Sequence, residues 1–242
     1  MPNPELLIKT HFPADERWQL TGKKYTLDDF LKWPQVKERF YIYGFNKYSP
    51  EEGLITLNNV NTQKFIVWSD NMENKGGSCS IYLLQENCYN KQLNLSMLNF
   101  YKDRFEVDCI FNKKGKYKVE IFGNNDGTNL YHDILAYTVN VENDAKKSLK
   151  FPHSYTGSKD INIIEPLYDN LKYGQKIKFK IKSDLVTLII IDNNEWHYLN
   201  KNEEGYFEKE ITIKTEVGKN LIVGKKTETD SCSYLMAYAI IK

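Results

Sequence analysis

The sequence lacks any apolar run long enough to cross a bilayer. Its longest, Leu185 to Ile191, is strand length and falls short of the roughly 18–20 residues a spanning helix needs. It lacks a charge excess as well. The 33 Lys and Arg against 32 Asp and Glu leave +1, which gives no electrostatic case for nucleic acid or an anionic membrane. Cysteine is scarce. Cys79, Cys88, Cys109 and Cys232 show no Cys-x-x-Cys spacing, and no apolar run follows a basic start. Reduced, buried thiols in a cytoplasmic protein are therefore expected.

Catalytic patterns are missing too. A thiol nucleophile needs a base within reach and a partner that orients the base. All four cysteines fall in predicted strands or at their edges, away from helix N-termini that would favour thiolate. His11, His132, His153 and His197 stand too far apart for the close spacings of zinc sites. His132-Asp133 is no dyad, since neighbouring strand residues point to opposite faces. The turns Asn124-Asn125-Asp126-Gly127 and Asp192-Asn193-Asn194-Glu195 carry too few oxygens for calcium, and no Gly-rich phosphate loop is present. No catalytic residue, metal or cofactor is expected.

What the sequence does have is aromatic residues and strands. Tyr (17) and Phe (12) are abundant, and with many Ile and Val they favour strands over helices. Thr26 with Asp29 three residues on is a capping-box signal and Pro34 a stop, predicting one short helix with Leu27, Phe30 and Leu31 on one face. Residues 36–48 are aromatic-rich and predicted extended, with Gly44 as a break. From Gly53 onward, short strands recur at hairpin spacing. Leu54–Leu57, Lys64–Trp68, Ser80–Leu84, Leu93–Leu95, Arg104–Phe111, Tyr117–Phe122 and Tyr131–Val141 make about seven, the count of a sandwich. After a polar linker at 142–150 the scheme repeats near Ile161–Ile164, Lys176–Ile181, Val186–Ile191, Trp196–Leu199, Tyr206–Ile213, Asn220–Gly224 and Tyr234–Ile241.

An internal repeat supports the duplication. Ile134-Leu135-Ala136-Tyr137-Thr138-Val139 matches Leu235-Met236-Ala237-Tyr238-Ala239-Ile240. Period two puts Leu135, Tyr137 and Val139 on one face, with Leu235 or Met236 the corresponding residue in the second copy. The expected fold is all-β: two tandem immunoglobulin-like β-sandwich domains, residues 49–144 and 145–242, preceded by a short α-helical N-terminal cap over 1–48.

The stretch His11-Phe12-Pro13-Ala14-Asp15-Glu16-Arg17-Trp18-Gln19-Leu20 reads as a Pro-broken extended piece and one tight turn. Asp15 can cap that turn, and Trp18 is expected to be buried as an anchor. This stretch resembles the segment that follows the catalytic domain in the kyphoscoliosis peptidase and hillarin group of transglutaminase-like proteins. Thr21 stands where that family usually carries a second Leu. Phe151-Pro152, Glu165-Pro166-Leu167, Tyr173-Gly174, Trp196-x-x-Leu199 and Gly205-Tyr206-Phe207 also fall where the family's C-terminal domain would have them. The resemblance extends over nearly the whole chain and makes His11, Phe12, Pro13, Asp15, Trp18, Gln19, Leu20, Tyr137, Pro166, Trp196 and Tyr238 structural motif residues.

The resemblance implies that a Cys-His-Asp domain lies before the motif. With about ten residues ahead of it, the chain is expected to lack that domain and to be a non-catalytic interaction or scaffold module. Its expected partner is a protein, cytoskeletal or a transglutaminase-like catalytic domain. The candidate docking surface is Phe40, Tyr41, Tyr43 and Phe45, where apolar area is expected to be exposed. Two alternatives stand: the accessory portion of a transglutaminase-like cysteine peptidase, and a carbohydrate-binding β-sandwich.

Overall fold

The computed structural model describes residues 3–85, 88–155, 159–227 and 231–242. The chain divides into two compact units, Met1–Leu93 with Tyr101–Lys146, and Asn94–Phe100 with Lys147–Lys242.

The first unit opens with α1 (Pro4–Thr10), a 3-10 turn (Glu16–Trp18), α2 (Leu27–Lys32), β1 (Gln35–Val36) and α3 (Glu38–Ile42). Then come β2 (Lys47–Ser49), β3 (Leu54–Leu57), β4 (Thr62–Trp68), β5 (Gly76–Gln85) and β6 (Cys88–Gln92). After β7 (Ser96–Phe100), which lies in the second unit, follow β8 (Arg104–Ile110), β9 (Gly115–Asn124) and β10 (His132–Val141). One sheet runs β1-β10-β9-β5-β6, with β3 also on β10. The facing layer pairs β2 with β4 and β4 with β8, both antiparallel. Phe65 on β4 meets Tyr137 on β10 with ring centroids 4.5 Å apart, and Phe65, Phe105, Val107, Val119, Ile121 and Val139 have no exposed surface. Alternation along each strand sends these residues inward to one shared core. At the start of β9 the Tyr117 hydroxyl donates back to the Lys113 carbonyl at 2.8 Å, the corner that pins this strand in immunoglobulin-type sandwiches.

The second unit repeats the plan. Its strands are β11 (His153–Ser154), β12 (Asn162–Glu165), β13 (Leu171–Lys172), β14 (Lys176–Lys182) and β15 (Ile189–Asp192). They continue with β16 (Glu195–Tyr198), β17 (Asn200–Lys201), β18 (Tyr206–Thr212), β19 (Asn220–Lys226) and β20 (Cys232–Ile241). One sheet runs β11-β20-β19-β15-β16, with β13 also on β20, and the other β12-β14-β18-β17. The all-β, tandem immunoglobulin-like reading of the sequence holds.

The registers fix the repeat residue by residue. Ala136 faces Gln35 of β1 and Ala237 faces His153 of β11; Val139 faces Ile55 and Ile240 faces Leu171. Met236, not Leu235, is thus the counterpart of Leu135. The same alignment pairs Lys32-Trp33-Pro34 with Lys150-Phe151-Pro152. In both units the Lys carbonyl accepts from a backbone N–H ahead of the parallel strand, Gly53 at 2.6 Å and Asp169 at 2.7 Å. Residues 32–36 are therefore an edge element of the first sandwich and not part of a separate cap.

Two buried tyrosines complete the correspondence. Tyr137 donates to the Pro50 carbonyl at 3.1 Å and Tyr238 to the Pro166 carbonyl at 2.7 Å, each proline following a cis peptide bond. Burial pushes both hydroxyls up from their ordinary pKa. Tyr238→Phe removes only the donor and leaves the Pro166 carbonyl without it, so unfolding of the second unit is expected to ease by about 1–3 kcal/mol. Urea denaturation followed by the exchange of β20 amides checks this; an unchanged midpoint would count against the bond.

Two local expectations are corrected, and one further helix is present. Residues 38–42 are helical, not extended, because a full turn ending at Gly44 (φ +73°) lets Phe40 and Phe45 reach the same core; tertiary packing overrides the aromatic strand preference. Pro4–Thr10 forms a helix that was not anticipated, with Asn3 as its cap. Leu93–Leu95 is a turn, with Asn94 at φ +57°, rather than a strand. The Thr26–Asp29 capping box is present as predicted.

Candidate functional site

The N-terminal motif is a clip. Its backbone leaves α1 at His11, an exposed residue whose N–H bonds the Leu7 carbonyl at 2.8 Å and whose Nδ1 lies 2.8 Å from the Thr10 hydroxyl. Phe12 packs on Phe30 of α2 with centroids 5.4 Å apart, and Pro13 is half-buried. Asp15 caps the 3-10 turn through the Arg17 N–H at 2.9 Å and pairs with its guanidinium at 2.6 Å. Those hydrogen bonds from Arg17 hold the Asp15 carboxyl below its usual range.

Gln19 is the one buried member, 3% exposed. Its side-chain amide donates to the Tyr25 carbonyl and accepts from the Tyr25 N–H, both at 2.8 Å, closing the 20–25 loop. Trp18 corrects an expectation. It is 73% exposed and Leu20 is 68% exposed, because the short turn is anchored by Asp15 and Gln19 and leaves the indole outside.

The candidate docking surface is also corrected. Phe40 and Phe45 have 0% and 2% exposure and cannot meet a partner while the unit is folded; Tyr41 and Tyr43 are half-buried. Lys75 reaches the Tyr43 carbonyl and lies over the Phe45 ring, which seals this corner further. Trp196, on the edge strand β16, is partly exposed.

In place of that surface the first unit has a cleft of about 760 Å³. Its floor is the outer face of the β10-β9-β5 sheet, where Leu84, Lys116, Lys118, Ala136 and Thr138 point away from the core. Its wall is the segment carrying Lys9, His11, Leu31 and Trp33, and Tyr89 stands at the rim. The Lys9 ammonium sits 3.6 Å from the Trp33 ring centroid, and burial lowers its pKa. Lys118 pairs with Glu120 at 2.5 Å and Lys37 with Asp133 at 3.9 Å. Lys9 and Lys116 form no ion pair among the described residues. No local pattern signals this cleft, since Lys9, Trp33, Leu84 and Lys116 are far apart in the chain. Only the sheet order joins them.

The chemical groups elsewhere are structural. Cys109 is fully buried on β8 opposite Cys79 of β5, and burial pushes its thiol well above the ordinary value, the opposite of an activated nucleophile. The Cys88 side chain lies outside the described residues. Asp192, fully buried, accepts from the Lys214 N–H at 2.8 Å and from the Thr215 N–H and hydroxyl at 2.6 Å each. His197 Nε2 lies 3.9 Å from that carboxylate, beyond hydrogen-bond reach. His132 is near Tyr43, while Asp133 faces Lys37 and Arg39; His153 is exposed on β11. Among the described residues no group of three His, Cys, Asp or Glu could hold a metal ion, and no helix is long and apolar enough to cross a membrane.

The family of KY-like, immunoglobulin-like domains matches residues 27–152. The chain belongs to this family. The matched region begins at α2, so the family domain includes Trp33, Pro34 and α3, in keeping with their place in the first sandwich. Kyphoscoliosis peptidase of Mus musculus is 24% identical over 139 residues, 57% of this chain and 19% of that protein; the chain thus spans a small part of this curated relative. Among solved structures, the fibronectin(III)-like modules of Clostridium thermocellum CbhA are similar over 81% of this chain and 92% of that chain, at 12% identity and a TM-score of 0.24. The Ig1-2 module of the Drosophila receptor protein tyrosine phosphatase DLAR covers 81% and 97%, at 9% identity and a TM-score of 0.24. At those scores the two likenesses carry no argument, and the fold rests on the strand order described above.

Proposed function

We propose that this chain is a non-catalytic protein-interaction module of the kyphoscoliosis-peptidase type, which docks a protein partner through the exposed apolar side chains of its N-terminal segment. The observation that supports this reading is Trp18. Its neighbours in the motif, Phe12 and Gln19, hold the local fold, whereas Trp18 is 73% exposed beside Leu20 at 68%. A large indole left in water beside a leucine is what an interface anchor looks like before binding. The scaffold partner is a cytoskeletal protein. A second reading makes this the accessory portion of a transglutaminase-like cysteine peptidase, with the catalytic domain itself as the partner. The motif's place favours it, since in the resembled family this stretch follows that domain.

Trp18→Ala with Leu20→Ala tests both. Neither side chain is in a core, so stability is expected to change by no more than about 0.5 kcal/mol. Capture of the principal partner by the immobilised full chain from source lysate is expected to fall about tenfold or more. Identifying that partner by mass spectrometry separates a cytoskeletal protein from a catalytic domain. Undiminished capture by the variant would overturn the assignment.

A further inference from the structure

We propose that the cleft on the outer face of the first sandwich is a second binding site, and that it takes an extended peptide segment alternating acidic and apolar side chains. The proposal rests on the reading of the chain as an interaction module but uses a different surface from Trp18 and Leu20. Charge complementarity is the first argument. Lys9, Lys37, Lys116 and Lys118 line the cleft against a single carboxylate, Glu38. Glu120 and Asp133 pair with Lys118 and Lys37, which leaves Lys9 and Lys116 with no ion pair among the described residues.

Lys9 is the more telling of the two. It lies partly desolvated over Trp33, with only the more distant Glu5 and Glu51 favouring its charge. A carboxylate entering there would meet a cation already stripped of part of its water, where attraction is stronger than at an open surface.

The second argument is the apolar lining. Leu31 and Tyr89 are 67% exposed and Leu54 is 50% exposed, and the floor between them is Leu84 and Ala136. Lysines interleaved with such a surface suit a ligand whose side chains alternate in the same way, as an extended chain's do.

The test uses the full chain and three fluorescein-labelled octapeptides: alternating Glu and Leu, alternating Lys and Leu, and polyglutamate. By fluorescence anisotropy the Glu-Leu peptide is expected to bind with a Kd on the order of 10 µM. Its affinity should fall about tenfold in Lys116→Glu and further in Lys9→Glu with Lys116→Glu, while the remote control Lys102→Glu leaves it unchanged. Lys116 is exposed, so the single variant stays informative even if the double variant unfolds. Amide shifts on titration should map to Thr138, Lys116 and the Trp33 indole. The assignment is overturned if the Glu-Leu peptide fails to bind, if the Lys-Leu peptide or polyglutamate binds as tightly, or if Lys116→Glu has no effect. Loss of partner capture in the Trp18 and Leu20 variant together with no peptide binding would leave the interaction-module reading standing and remove only the cleft. Peptide binding with undiminished lysate capture would do the reverse.

Discussion

Phe40→Ala is expected to destabilise the first unit by about 3–5 kcal/mol, the range for emptying a fully buried phenylalanine site. Phe40 has no exposed surface. Its ring lies 5.7 Å from Phe45, 5.6 Å from Tyr48 and 5.1 Å from Tyr41, and Phe45 carries the contact on to Phe105 of β8 at 5.8 Å. The cavity cannot close easily, because α3 is held at both ends. Lys37 N–H bonds the Ile134 carbonyl at 2.9 Å, and the Ser69 hydroxyl bonds the Gly44 carbonyl at 2.7 Å. Two units need not unfold in one transition, so the measurement is amide exchange at β4 and β8 together with thermal unfolding, where a fall of roughly 10 °C is expected for the first unit. Ile42→Ala, 62% exposed on the same helix, should be within about 0.5 kcal/mol of wild type. If Phe40→Ala were equally mild, residues 38–45 would be a detachable cap after all.

That contrast explains which parts of the molecule the sequence could disclose. Strand alternation in Arg104–Phe111 and the matched final strands were legible because both are local patterns of period two. The capping box at Thr26 was legible for the same reason. The fate of Phe40-Tyr41-Ile42-Tyr43 was not, since aromatic density means the same thing locally whether the ring meets solvent or a core. What decides it is the Ile134 carbonyl, nearly a hundred positions away. The correspondence of Lys32-Trp33-Pro34 with Lys150-Phe151-Pro152 was present in the sequence but too short to stand out; only the two hydrogen bonds from Gly53 and Asp169 give it meaning. Trp18 went astray in the opposite direction. A large apolar side chain does favour burial, but a three-residue turn pinned by Asp15 and Gln19 does not offer it a face to pack on. The lysines of the cleft are ordinary surface residues in sequence and become a site through β9, β10 and α1 together.

Removing residues 1–48 would therefore be a poor probe of docking, because it strips an edge strand and two core rings along with Trp18. A single added methyl tests the same architecture more sharply. Gly53 lies where the chain entering β3 passes the segment leading to β1. A Cβ built on it would stand 2.2 Å from the Trp33 carbonyl oxygen, 2.3 Å from its carbon and 2.4 Å from the Pro34 nitrogen. All three are backbone atoms, which cannot swing aside as a flexible side chain would. The Gly53 N–H also bonds the Lys32 carbonyl at 2.6 Å, and the Gly53 carbonyl accepts from Thr138 at 2.8 Å. Relief must come from lifting residues 32–36 away from β10 or pulling 53–57 out of register. Gly53→Ala is expected to cost about 3 kcal/mol, the upper end for overpacking, and to raise exchange at the Lys37 and Thr138 amides more than at β4. Asp169, its counterpart in the second unit, carries a side chain, and there the Asp169 carboxylate itself takes the Ala239 N–H. The close backbone approach is thus a property of the first unit alone, and Asp169→Gly should not reproduce the Gly53→Ala pattern. A Gly53→Ala protein as stable as wild type, with Lys37 still protected, would mean that residues 32–36 are not fixed against the parallel strand.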